Sequence, residues 1–156
     1  MRAFFYDTWA FVALANAADP QHALGAQCDE ELERRGFAPV TSDYVLDETL
    51  TCLHAAAGAK VALAFLDLLT SRVDAEELLL FEITRPRRDT ALRLFRRLAP
   101  TEPRLSFTDC TSFQLMHELG IQLAFTADRH FHRAGRGVRP LLDWRGKRLE
   151  LRLPVE

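Results

Sequence analysis

A three-layer α/β/α sandwich around a central, mainly parallel sheet is the fold class this chain's pattern predicts, on two observations. Short apolar runs of strand length alternate with stretches of helical periodicity, and the runs are apolar throughout rather than at every second residue. A strand that is apolar on both sides has to be covered on both faces, and helices crossing between parallel strands supply that cover. With 156 residues the arrangement is expected to fill one domain spanning 1–156.

"RAFFYD" reads as the first strand, ending on Asp7, and "TWAFVALAN" as the helix that follows. Pro20 suits a first helical turn, where its missing amide hydrogen would go unbonded anyway, and opens a second helix ending at Gly36. "FAPV" is a short strand. Thr41 or Ser42 can then cap a helix over "DYVLDETLTCLHAAAG", closed by Gly58, with a further helix over "AKVALAFLDLLTSR". "ELLLFEIT" is the next strand, and a helix runs from Pro86 through "RRDTALRLFRRLA". Pro100 and Pro103 mark a loop, "SFTDCTSFQLMHELG" forms a helix ending at Gly120, and "IQLAFT" is a fully apolar strand. The tail segments "VRPLLDW" and "RLELRL" look strand-like.

Composition narrows the chemistry. Cys28, Cys52 and Cys110 are odd in number, far apart and never in a CxxC pair, so neither a disulfide framework nor a zinc site is indicated, and a reducing cytoplasm fits. The N-terminal "MRAFFYDTWAFVALANA" imitates a signal peptide, but Asp7 in its apolar middle argues against one. No segment approaches the roughly 18 apolar residues that span a bilayer, so no membrane partner is expected. The net charge of -2 conceals an asymmetry: residues 1–80 carry 13 acidic and 5 basic side chains, whereas residues 81–156 carry 9 and 15. Eighteen of the 20 basic residues are arginine, whose planar fork matches phosphate geometry. An Arg-rich half beside an acidic half suits a protein that holds a cation and a polyanion together.

In parallel α/β sheets, sites form at the carboxyl ends of strands where crossovers diverge. Asp7 and Asp128 fall at or just past strand ends. Asp109 lies three residues after Ser106, the outline of a capping box, although Thr108 is an alternative cap. Glu48 shares a stripe with Tyr44, Val45, Cys52 and Ala55 at the border of an apolar face, while Asp47 groups with Asp43, Thr51 and His54 on a solvated one. Taken singly, each acid has a structural explanation as a cap, turn or solvated residue. Together, four carboxylates at one sheet edge repel and raise one another's pKa unless a cation neutralises them. Oxygen donors without nearby Cys or paired His favour Mg²⁺ or Mn²⁺ over zinc.

The order D-T after the first strand, E in "SDYVLDETL", D in "SFTDC" and D in "FTADRHF" resembles PIN-domain ribonucleases. "SFTDC…LMHELGI…AFTADRHF" is particularly similar to the toxins of bacterial VapC-like systems. The resemblance covers nearly the whole chain. It implies Mg²⁺- or Mn²⁺-dependent cleavage of RNA phosphodiesters, with Asp7, Glu48, Asp109 and Asp128 in the family's acidic positions. Asp7 and Asp109 are the expected direct ligands, Glu48 a ligand or an acceptor of the attacking water's proton, and Asp128 a residue acting through water. Thr8 and Thr126 are expected to orient those waters by their hydroxyls. The resemblance further implies a homodimer and a cognate antitoxin that covers the site.

Arg129, Arg133 and Arg136 follow Asp128 with no acid among them, and with Gly135 and Gly137 they suggest a flexible basic loop for an RNA backbone. Phe131 reads as the loop's apolar anchor, with stacking on a base as the alternative. Apart from His130 and His132, a pair at a strand-like interval, the histidines lack metal spacing, and all are expected at the surface or behind the ligands. Cys110 reads as a small buried residue beside the site. Two competing functions remain on these residues. One is a catalytically silent PIN-fold module that binds RNA or protein. The other, a haloacid-dehalogenase-type phosphotransferase, wants D-x-D where "YDTWA" has Thr8 and Trp9. Nucleotide motifs such as GxGxxG are absent.

Overall fold

The structure is a computed structural model that describes residues 2–134 and 137–155. Seven strands and seven helices are found among these residues: β1 (Ala3–Tyr6), α1 (Thr8–Ala15), α2 (His22–Arg34), β2 (Ala38–Ser42), α3 (Asp43–Ala57), α4 (Ala59–Asp74), β3 (Leu79–Phe81), α5 (Arg85–Leu98), α6 (Phe107–Leu119), β4 (Leu123–Phe125), α7 (His130–Arg133), β5 (Arg139–Pro140), β6 (Leu142–Arg145) and β7 (Arg148–Leu151).

Five strands form one sheet in the order β3-β2-β1-β4-β5, with every pairing parallel. β1 is therefore central: the chain leaves it for β2 on one side and later returns to lay β4 on the other. That reversal opens a crevice at the carboxyl ends of β1 and β4. Tyr6 pairs with Phe125, so the next residues, Asp7 and Thr126, emerge side by side into the crevice. β6 and β7 pair antiparallel in a separate two-stranded sheet.

Aromatic packing fixes the centre of this sheet. Tyr6 stacks on Phe11 at 4.5 Å between ring centroids and lies 5.6 Å from Phe125. Burying such rings contributes about 2–3 kcal/mol apiece. The Tyr6 hydroxyl donates to Asp29 Oδ1 on α2, and Arg72 on α4 places Nη1 3.5 Å from the same hydroxyl. Burial, followed by the Asp29 charge, pushes the Tyr6 phenol well above its ordinary range, so this hydroxyl stays a neutral donor. One face of β1 is thereby locked to two helices, while the residue after it serves the crevice.

Several expectations are corrected in detail. β2 runs two residues past "FAPV", so Thr41 lies in the strand, where its hydroxyl donates to the Tyr6 carbonyl at 3.1 Å, and Ser42 alone caps α3. β3 is three residues long where eight were read as strand. Asp43 is not part of a solvated face: its Oδ1 accepts the Ile83 amide at 2.9 Å and ties α3 to the end of β3. The basic segment after Asp128 begins with a helical turn, α7, rather than a flexible loop. Pro140 sits in the terminal strand β5, where a residue without an amide hydrogen is tolerated. Among the described residues, no helix is long and apolar enough to cross a membrane.

Candidate metal centre

Asp7 occupies the N-cap position of α1, yet its side chain does not cap the helix. Its backbone carbonyl does that work by accepting the Ala10 amide at 3.1 Å, leaving the carboxylate for the crevice. There Oδ2 accepts the Thr126 hydroxyl at 2.7 Å. The same Thr126 oxygen accepts the Asp128 amide at 3.0 Å, and Asp128 Oδ1 in turn accepts the His130 amide at 2.9 Å. A single threonine thus sets the spacing of two acids. Thr126, expected to orient waters by its hydroxyl, gives that hydroxyl to Asp7.

Asp109 arrives from α6 through a complete capping box. Ser106 Oγ accepts the Asp109 amide at 2.9 Å, and Asp109 Oδ2 accepts the Ser106 amide at 3.0 Å. The cap is Ser106, not Thr108. These reciprocal bonds fix the carboxylate at the first turn of the helix. Asp109 is only 5% exposed.

The electrostatics follow from the crowding. Asp7 is pushed up to about 8, by burial first and then by the Asp109 charge, with Asp128 adding to it and the Thr126 bond opposing. Asp109 is pushed up to about 6, again by burial first, with the Asp128 charge adding and the Ser106 bonds opposing. Three acids so placed cannot all be charged cheaply without a cation among them. One donor atom from each of Asp109, Asp128 and His130 lies within 4.8 Å of the other two. The donor set therefore fits a divalent ion. Cys110 is buried, and burial followed by the Asp109 charge pushes its thiol up to about 12, which leaves no thiolate for nucleophilic chemistry.

Two of the four expected acids stand apart from that three-donor group. Asp7 couples to it through the Asp109 and Asp128 charges. Glu48 is half-buried on α3, one turn after Tyr44, whose ring meets Phe107 of α6 edge-on at 6.0 Å. Its charge acts on Cys52, a thiol raised mainly by burial. Thr8 is buried at the start of α1, and its Oγ1 has no hydrogen-bond partner. Arg129 is exposed, Arg133 donates to Glu102 at 2.8 Å, and Arg136 lies outside the described residues.

Sequence reasoning missed two residues here. His130 sits with Nδ1 2.9 Å from Asp128 Oδ1 and 3.7 Å from Asp109 Oδ2, while its Nε2 lies 3.7 Å from Glu102 Oε2. Phe131, fully buried and packed edge-on against Phe113 at 4.8 Å, anchors the turn that carries it, as expected for that side chain. The signals for His130 were its position two residues after Asp128 and its spacing from His132. Glu102, between two prolines, carried none.

No protein-family model matches the chain. It is similar to the 23S rRNA-specific endonuclease VapC20 of Mycobacterium tuberculosis, 32% identical over 131 residues that cover 84% of this chain and 93% of that protein. The crystal structure of Mycobacterium tuberculosis VapC20, described as a sarcin-ricin loop cleaving toxin, aligns with a TM-score of 0.72 at 31% identity, covering 88% of this chain and 100% of that one. Two more distant structures share the fold. VapBC2 from Rickettsia felis, bound to a promoter DNA fragment, gives a TM-score of 0.63 at 15% identity, covering 87% of this chain and 96% of that one. DNA-bound VapBC from Salmonella typhimurium gives 0.65 at 16%, covering 92% and 99%.

Proposed function

This chain belongs to the VapC-like family of PIN-domain endoribonucleases, toxins of toxin–antitoxin systems, and on that premise we propose that it hydrolyses RNA phosphodiesters with Mg²⁺ or Mn²⁺ at the crevice beyond β1 and β4. The observation that carries the reading is the convergence of Asp7, Asp109 and Asp128, two of them held far above the ordinary carboxylate range.

Asp7 and Asp109 are the proposed direct ligands, with Asp128 acting through water and Glu48 completing the set from α3 or accepting a proton from the attacking water. A divalent ion bound there supplies Lewis acidity and offsets charge developing on phosphate oxygens. Thr126 keeps the Asp7 carboxylate in one orientation through its 2.7 Å bond. The buried hydroxyl of Thr8, without a protein partner, suits a water or phosphate oxygen. Arg129, exposed one residue beyond Asp128, is the proposed first contact for the RNA backbone, with Arg133 and Arg136 further along.

The relative's action on 23S rRNA makes ribosomal RNA the first substrate to try. A protein antitoxin and a homodimer complete the proposal, which places the chain in the cytoplasm as one domain over 1–156. Support for a protein partner comes from α4, where Leu63 and Leu68 are exposed, and from an adjoining apolar groove of about 670 Å³ lined by Phe11, Leu14, Val61 and Phe65.

The test is a paired measurement on wild type and Asp109→Asn: Mn²⁺ binding by calorimetry, and cleavage of 23S rRNA with and without a chelator. Binding and cleavage in the wild type, both lost in a folded mutant, are expected. A folded wild type that neither binds the ion nor cuts RNA would instead be a silent binding module.

A further inference from the structure

His130 Nδ1 is buried and makes no hydrogen bond, although it lies 2.9 Å from Asp128 Oδ1. That oxygen already accepts the amide hydrogen of His130 itself and makes no hydrogen bond with the ring nitrogen. A buried ring nitrogen held against two carboxylates without bonding to either is short of a partner. Its neighbours indicate what kind. Nδ1 is 2.9 Å from one carboxylate oxygen and 3.7 Å from Asp109 Oδ2. Adjacent ligands on a six-coordinate ion with bonds near 2.1 Å stand about 3 Å apart, so a nitrogen this near both acids can enter the coordination shell that Asp109 enters directly and Asp128 through water.

The far side of the ring is arranged to match. Nε2 faces Glu102 Oε2 at 3.7 Å, and Glu102 is held in place by Arg133 at 2.8 Å. At that separation the carboxylate makes no direct hydrogen bond, but its charge favours a proton on Nε2, the tautomer that leaves the inner lone pair free. The ring also has little room to move, since Phe131 beside it is fully buried and His132 Nε2 lies 3.3 Å from Asp143 Oδ1 on β6.

We propose that His130 Nδ1 is a nitrogen ligand of the divalent ion, with Glu102 as the positioning residue behind it. The inference rests on the nuclease reading of the site, and it changes the expected metal. An imidazole beside carboxylates favours Mn²⁺ over Mg²⁺, because Mg²⁺ prefers an all-oxygen shell.

Electron spin-echo envelope modulation on the Mn²⁺-loaded wild type tests this directly, since it detects ¹⁴N bound to manganese without reference to activity. Imidazole ¹⁴N modulation is expected, absent in His130→Ala. Calorimetry should show Mn²⁺ affinity about tenfold weaker or more in His130→Ala and about tenfold weaker in Glu102→Gln, the latter keeping its nitrogen signal. Mn²⁺ bound by wild type without nitrogen modulation overturns the assignment and leaves the nuclease reading standing. A wild type that binds no Mn²⁺ at all overturns both. The decisive spectrum comes from wild type, so it does not depend on either variant folding.

Discussion

The Thr126 hydroxyl donates to Asp7 Oδ2 at 2.7 Å while its oxygen accepts the amide of Asp128, so a neutral side chain just past β4 governs an acid just past β1. Thr126→Val keeps the shape and removes both bonds. The buried Asp7 oxygen and the Asp128 amide are then unpartnered, at a cost of about 1–3 kcal/mol in urea denaturation. Because the acid loses its orientation, Mn²⁺ affinity should fall about tenfold. Wild-type metal affinity in a folded variant would show that the hydroxyl only stabilises.

Acid pKa values make the metal-free protein sensitive to alkali rather than acid. Asp7 and Asp109 are raised to about 8 and about 6 from a common ordinary value of 3.8. Between these limits the folded chain holds protons that the unfolded chain has released, so stability falls as pH rises. Their contribution is complete below the unfolded value and lost as pH climbs through the folded ones. Melting temperature in chelator should drop from pH 5 to pH 8, and Mn²⁺ should flatten the slope. A profile that rises over that range would contradict the crowding described here.

Asp7→Asn separates stability from function. It removes a buried charge yet keeps an oxygen for the Thr126 hydroxyl. In chelator at pH 8 the variant should melt at least about 3 °C higher than wild type, while RNA cleavage is lost. A lower melting temperature would mean that Asp7 serves the fold rather than the ion.

Ser106→Ala asks how far the capping box matters. Losing the Ser106 oxygen should cost about 1 kcal/mol, the usual value of an N-cap. Asp109 keeps its bond from the Ser106 amide, so metal affinity should fall far less than in Asp109→Asn. Equal losses in the two variants would mean that the cap alone aims the carboxylate.

Phe131→Ala removes the ring that seats α7 against Phe113. Truncating a fully buried phenylalanine costs about 3–5 kcal/mol, and hydrogen exchange should show the loss concentrated at α7 and β5. A uniform loss across the sheet would mean that α7 and β5 do not open apart from the rest of the core.

What was legible in the sequence, and what was not, divides along physical lines. The parallel sheet was visible because "RAFFYD" and "IQLAFT" are apolar on both faces, and α6 because Ser106, Asp109 and Gly120 mark its two ends. Asp7, Asp109 and Asp128 were legible as candidate neighbours because strand ends and a helix cap have local signatures, and their charges do act on one another. α7 was hidden because four residues, "HFHR", are too few to show a period and carry no side-chain cap. The Glu102–His130 relation joins a loop to a turn 28 positions later and leaves no pattern at all. Glu48 illustrates the opposite case: its place on a helix stripe was legible, but a stripe does not say how near the side chain comes to acids on other elements.

The position of β1 in the middle of the sheet also has a consequence in time. Asp7 is made more than a hundred residues before Asp109, Thr126 and Asp128, and β4 can pair with β1 only after that. Until then β1 is paired on one side alone, and a growing chain has acids but no assembled centre. The centre is therefore complete only once β4 has been made and paired. A transcript cut short before β4 yields an inert fragment with an open strand edge, not a partial nuclease.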